Sequence, residues 1–145
     1  MSNMPLRGRI HRGETGQGLL EFALVIPLLM LMVVGLFDLG YAVFVNNMIS
    51  NAAREGARVG IIQMNTNADI CNRVIAAAPG LNLSCQPGSI DIDPSPTRDY
   101  GEPITVTVTF TYTPMTPLMG QFVGGGLRLS SSSVMVTEGV LQFQP

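Results

Sequence analysis

Gly16–Gly40, GQGLLEFALVIPLLMLMVVGLFDLG, is the stretch on which the reading of this chain turns. From Phe22 to Phe37 it carries no charge, which makes about 24 Å of helix, slightly short of the ~30 Å hydrocarbon core of a bilayer. A helix crossing a membrane here brings Glu21 and Asp38 to the two boundaries or a little inside them. A plain anchor has no use for either acid, because an ionised group near lipid is costly unless paired. Pro27 removes a backbone hydrogen bond nearly two turns into the run and bends a helix at that point.

The rest of the composition agrees with a membrane segment joined to one small domain. The chain has 145 residues, of which 46% are hydrophobic and 12% charged, about half the charged share of a soluble domain. Its charges are sorted. Arg7, Arg9 and Arg12 precede the apolar run, opposed only by Glu14, whereas acids outnumber arginines after it. Basic residues before a span hold that end in the cytoplasm. The reading is therefore a single-pass protein of the cytoplasmic (inner) membrane, its N-terminus inside and its C-terminal domain outside. With net charge −2, no lysine and no basic patch among aromatics, nucleic-acid binding has nothing to rest on.

Residues 1–15 are polar and lack a hydrophobic period, so they read as a short disordered leader. Helical character runs on beyond Asp38 through YAVFVNNMISNAAREGARVGII. Ala53, Gly56, Ala57 and Gly60 fall at i, i+3, i+4 and i+7 there, a stripe of small residues on one face. Such a stripe admits another backbone closely; the plainer alternative is a pair of tolerated helix glycines, each costing about 1 kcal/mol relative to alanine. Arg54, Glu55 and Arg58 read as a solvated or locally paired face. NTNADICNRVIAAAPG predicts a second, short helix, capped by Thr66 or Asn67, with Asp69 in its first turn and Pro79-Gly80 ending it. Ile70, Val74 and Ala77 give it a narrow apolar stripe.

Strands follow. PITVTVTFTYTP alternates without error, Ile104, Val106, Val108, Phe110 and Tyr112 facing one way and threonines the other. SIDID is a shorter strand. LRLSSSSVMVTEGVLQF is strand-like, but its apolar phase shifts between Leu127/Leu129 and Val134/Val136, which predicts a bulge near Ser131–Ser133. The Pro/Gly-rich connection TPMTPLMGQFVGGG is expected to fold Met115, Leu118, Met119, Phe122 and Val123 over the sheet edge. Cys71 and Cys85 both fall on the outside part. A disulfide there would close a loop of about 15 residues and contribute roughly 3 kcal/mol; a free buried pair is the alternative.

Catalytic chemistry finds no set of residues. The one histidine, His11, is in the polar leader, and no serine or cysteine of the outer domain has a histidine base. Two cysteines without a nearby histidine make no zinc site. Asp91, Asp93, Asp99 and Glu102 are acids around a strand and turn, better read as solvated than as a calcium site. Gly124–Gly126 precede no helix, so a phosphate loop is unsupported. The expectation is no enzyme, no cofactor and no resident metal. Ser50-Asn51-Ala52 satisfies the small-residue rule for signal cleavage formally, but lies far beyond the apolar core.

Gly16-Gln17-Gly18-Leu19-Leu20-Glu21-Phe22 resembles the processing site of type IV pilin-like proteins, in which a prepilin peptidase cuts after a glycine and leaves a glutamate fifth in the mature chain. Adding Glu21-Phe22-Ala23, Pro27, Asp38-Leu39-Gly40 and Ala-Ala-Arg-Glu-Gly-Ala-Arg at 52–58, residues 16–60 resemble the TadE-like family of the tight-adherence (Tad/Flp) pilus system. Tyr41 departs from the arginine often found there. The resemblance implies a minor pseudopilin, cleaved between Gly16 and Gln17, that takes part in pilus assembly, adhesion and secretion beside other pilin or pseudopilin subunits. It also implies that Glu21 neutralises the new amino group of a neighbouring Gln17; Asp38 is left as a boundary residue or a second polar contact in the bundle.

The expected architecture is α+β: a cytoplasmic leader (1–16), a transmembrane and extended helix (17–62), and an extracytoplasmic αβ domain (63–145). That domain combines a short helix with a three- to four-stranded antiparallel sheet. The alternative function is an uncleaved single-pass anchor whose surface domain binds a ligand or envelope component.

Overall fold

In the computed structural model, residues 14–95, 99–116, 120–121 and 124–138 are described. The polar leader up to residue 13, Leu118, Met119, Phe122 and Val123 of the connection, and residues 139–145 lie outside the described residues. The chain divides into two units, one ending at Phe37 and one beginning at Asp38.

Helix α1, Glu14–Gly60, passes through both, with Pro27 in its interior. In the N-terminal unit nearly every side chain from Gly16 to Phe37 is exposed, and the mean hydropathy of the most apolar window reaches 2.6. In water such a surface is untenable; in lipid it is what a spanning helix requires, since interior backbone groups pair within the helix except for the one bond that Pro27 removes. The helix is long and apolar enough to cross a membrane.

From Asp38 onward α1 becomes one-sided. Val45, Ile49, Ala52, Ala53, Ala57 and Gly60 are buried, while Asn46, Asn47, Asn51, Arg54 and Arg58 are exposed. That spacing is the stripe of an amphipathic helix laid on a core. Helix α2, Asn67–Ala77, contributes Ile70, Cys71 and Val74 to the same core. Its N-terminus is fixed by a capping box: the Thr66 hydroxyl accepts from the Asp69 amide, and the Asp69 carboxylate accepts from the Thr66 amide at 2.8 Å. The Thr66 hydrogen bonds hold the Asp69 carboxyl below its ordinary pKa. Cys71 on α2 and Cys85 in the following loop are joined by a disulfide.

Among the described residues the sheet has three strands in the order β1 (Ile90–Asp93), β2 (Pro103–Tyr112) and β3 (Leu127–Val136), both pairings antiparallel. Alternation on β2 sends Ile104, Val106, Val108 and Tyr112 into the core and leaves Phe110 half-buried. The fully buried Ile49, Ile70, Ile104, Val74, Val106 and Val108 each contribute about 1.5–3 kcal/mol by leaving water.

No bulge interrupts β3. Its register with β2 is unbroken from Pro103↔Val136 to Tyr112↔Leu127. Partners across an antiparallel pair share a face, so Leu129, Ser131, Ser133 and Met135 lie on the core side, opposite Phe110, Val108, Val106 and Ile104. The phase shift in the sequence is resolved by chemistry rather than by an extra residue. Ser131 meets the helix through its hydroxyl, 2.9 Å from Ser50 Oγ, and Val134 and Val136 lie exposed on the outer face. On that face Thr107 donates to Ser132 at 3.2 Å and the Thr109 and Ser130 hydroxyls lie 3.1 Å apart.

Gly56 and Gly60 set how closely α1 approaches the core. A Cβ built on Gly56 would overlap Val74 Cγ2 and lie 3.2 Å from Val106 Cγ1; one on Gly60 would overlap Ile104 Cδ1. The first obstacle is a stiff β-branched side chain and the second the far end of a longer one. Gly56→Ala should therefore lower stability by about 1–2 kcal/mol despite its better helix propensity, and Gly60→Ala by less. Thermal melts of the detergent-solubilised chain, followed by far-UV circular dichroism, check both size and order.

Candidate functional site

Asp38 is the first residue of α1 beyond the uncharged run and occupies the inner stripe, two turns before Val45. Its side chain is only 6% exposed. β2 delivers Tyr112 at the end of its core-facing row, and Pro114, which cannot donate to a ladder, follows once the strand has ended. Two consecutive amides after it, those of Met115 and Thr116, reach Asp38 on the helix.

Among the described residues, four donors converge on the carboxylate. Tyr112 Oη donates to Oδ1 at 3.2 Å, the Met115 amide donates to Oδ1 at 3.1 Å, and the Thr116 amide donates to Oδ2 at 3.3 Å. The Thr116 hydroxyl also donates to Oδ2. An ionised carboxylate offers about four acceptor positions, so these bonds use its capacity within its own chain. Tyr112 Oη also lies 3.3 Å from the Asp38 carbonyl oxygen. The Tyr112 ring is 5.7 Å from that of Tyr41, which in turn stacks on Phe44 at 6.1 Å. Tyr41 thus supplies the aromatic wall beside the Asp38–Tyr112 pair.

The other singled-out residues are distributed along the chain. Gly16 and Gln17 lie in the first turn of α1 and Glu21 one turn later, all exposed. Gly56 and Gly60 face α2 and β2, and Ala53 and Ala57 are buried in the same core. Arg73 Nη2 reaches Glu55 Oε2 at 2.6 Å, and this pairing holds the Glu55 carboxyl below its usual range. Arg54 instead donates to the Ser50 carbonyl at 3.3 Å. Asp91 and Asp93 are exposed on the outer sheet face opposite Thr107 and Thr105.

Two members of the Asp38 cluster carry no motif in the sequence. Tyr112 counts there as one more inward residue of β2, although its polar tip at the end of an otherwise apolar row already asks for a partner. Thr116 gives no such signal, because it acts through a loop whose path only the tertiary structure defines.

Burial, and secondarily Asp38, pushes the Tyr112 phenol above its ordinary pKa. A raised folded-state pKa stabilises the protein below the unfolded value and is lost as pH rises through the folded one. Alkaline absorbance titration should show one late-ionising tyrosine, and that component should vanish in Tyr112→Phe. The same variant should cost about 1 kcal/mol of stability at neutral pH through the lost hydrogen bond.

Residues 16–58 match the family model described as TadE-like protein. No curated protein and no solved structure matches the chain.

Proposed function

Because its first long helix carries a TadE-like segment, we propose that this protein is a minor pseudopilin-like subunit taking part in assembly of a Tad/Flp-type pilus. In this reading a prepilin peptidase cuts between Gly16 and Gln17, and the processed helix packs among those of other pilin or pseudopilin subunits. The role is assembly, with no chemistry catalysed by the chain itself.

One observation carries the reading. Gly16 precedes Glu21 by five residues at the start of an exposed apolar helix, and the same helix continues without a break into the packing face of a small αβ unit. Cleavage creates an amino group on Gln17. In a low-dielectric bundle a lone carboxylate or a lone amine is expensive, whereas a matched pair between subunits is far less so. Asp38 has its acceptor positions filled by Tyr112, Met115 and Thr116. Of the two acids that flank the apolar run, that leaves Glu21 for contacts between subunits.

N-terminal sequencing of the membrane-extracted protein tests the processing step: the expected start is Gln17, and a start at Met1 overturns it in favour of a permanent surface anchor. Glu21→Val should leave membrane insertion unchanged and reduce recovery of the protein in sheared pili severalfold. Normal pili built with that variant would remove the proposed role of Glu21.

A further inference from the structure

The burial of Asp38 changes where the membrane-facing surface of α1 ends. By charge alone the apolar run stops at Phe37. Asp38, however, turns to its own unit and is nearly enclosed, while Leu39, Tyr41, Val43 and Phe44 around it are large, apolar or aromatic, and exposed. Only then does the outward surface change character, to Asn46, Asn47, Asn51, Arg54 and Arg58. Counted along the chain, the enclosed Asp38 is the one charged residue from Phe22 to Phe44, about 34 Å of helix, which exceeds the ~30 Å hydrocarbon core that the shorter run does not span. About 20 residues from Phe22 place the hydrocarbon boundary near Tyr41, whose ring suits the interfacial layer.

Asp38 then sits about 4–5 Å on the lipid side of that boundary, and whatever is bonded to it sits at membrane depth as well. The attached group is the loop after β2. Met115 gives its backbone amide to Asp38 yet leaves its own side chain 87% exposed. This methionine is held through its backbone to Asp38, one turn of α1 before the exposed Tyr41 and two before the exposed Phe44, and is bare at its side chain. Large exposed apolar groups gathered in this way are uncommon on soluble monomers.

We propose that this end of the C-terminal unit is a lipid-binding surface. Tyr41, Phe44 and Met115 enter the headgroup layer at the end of the span, and the Asp38 carboxylate lets the loop enter by satisfying the Met115 and Thr116 amides and the Tyr112 hydroxyl, which lipid could not. The occupant is the bilayer interface itself, because Asp38 and the exposed apolar residues after it follow the span directly in the chain. This inference rests on the span and not on processing or pilus assembly.

The chain has no tryptophan, so a single introduced indole reports alone. Met115→Trp and Met64→Trp place one at the loop and one beyond Gly60, where Met64 is similarly exposed at 81%. Asp38 and Gly60 are separated by about 33 Å of helix. The full chain is reconstituted in phosphatidylcholine–phosphatidylglycerol vesicles doped with a lipid carrying a nitroxide near its headgroup. The Met115→Trp emission is expected to be quenched severalfold more than that of Met64→Trp, with Tyr41→Trp, a second reporter, behaving like the former. Equal quenching at positions 115 and 64 overturns the proposal. So does an indole at 115 that is shielded as protein density rises but untouched by nitroxide, since the occupant would then be a second copy of the chain. Adding Asp38→Asn to Met115→Trp should weaken the quenching while the span stays inserted; unchanged quenching removes the carboxylate from the device.

Discussion

The C-terminal unit depends on how closely one helix can approach a sheet and a second helix. Gly56 and Gly60 bring the backbone of α1 against Val74, Val106 and Ile104, with no room for a Cβ at either position without displacement. Once that distance is set, the remaining core residues have fixed spaces to fill. Ile70 and Val74 of α2 sit over the small stripe, and β2 supplies a row of branched side chains beneath it. The cost is local, a few tenths to one kcal/mol of helix propensity per glycine, and it is offset by dispersion and burial over the whole interface.

α1 also meets two different solvents. From Phe22 to Phe37 its exposed surface carries no charge, and from Asp38 one face belongs to a protein core. The junction is handled by a single carboxylate turned inward. A cluster of this kind is stable only when complete, since a half-satisfied buried polar network is worse than an apolar one. Tyr112, Met115 and Thr116 complete it, and in doing so they fix the path of the chain after β2.

Much of this was legible in the residues. Periodicity fixed both helices and the inward row of β2, because 3.6 and 2 are different repeats and both are clean here. The Thr66–Asp69 spacing marked the start of α2. The small stripe at 53, 56, 57 and 60 was visible, although which backbone or side chain it admitted was not. β3 misled, since a change of apolar phase has two physical outcomes. A bulge keeps apolar groups inward, whereas the actual strand keeps its ladder intact, places serines inward at half-buried positions and leaves Val134 and Val136 outside. Asp38 was conspicuous as an acid after an apolar run. Its partners lie 74 and more residues away along the chain, and no local pattern encodes a contact of that range.

The unbroken passage of α1 from Phe37 to Asp38 also bears on the order in which the molecule forms. Starting a helix is the unfavourable step, because several residues must be fixed before the first hydrogen bond returns anything, whereas each later residue adds one bond. A bilayer removes the choice by forcing the apolar half into a helix on insertion. Residues 38–60 then extend a helix that already exists. A helix extended in this way offers the sheet and α2 a preformed packing face, which lowers the conformational entropy still to be lost when the long-range contacts form.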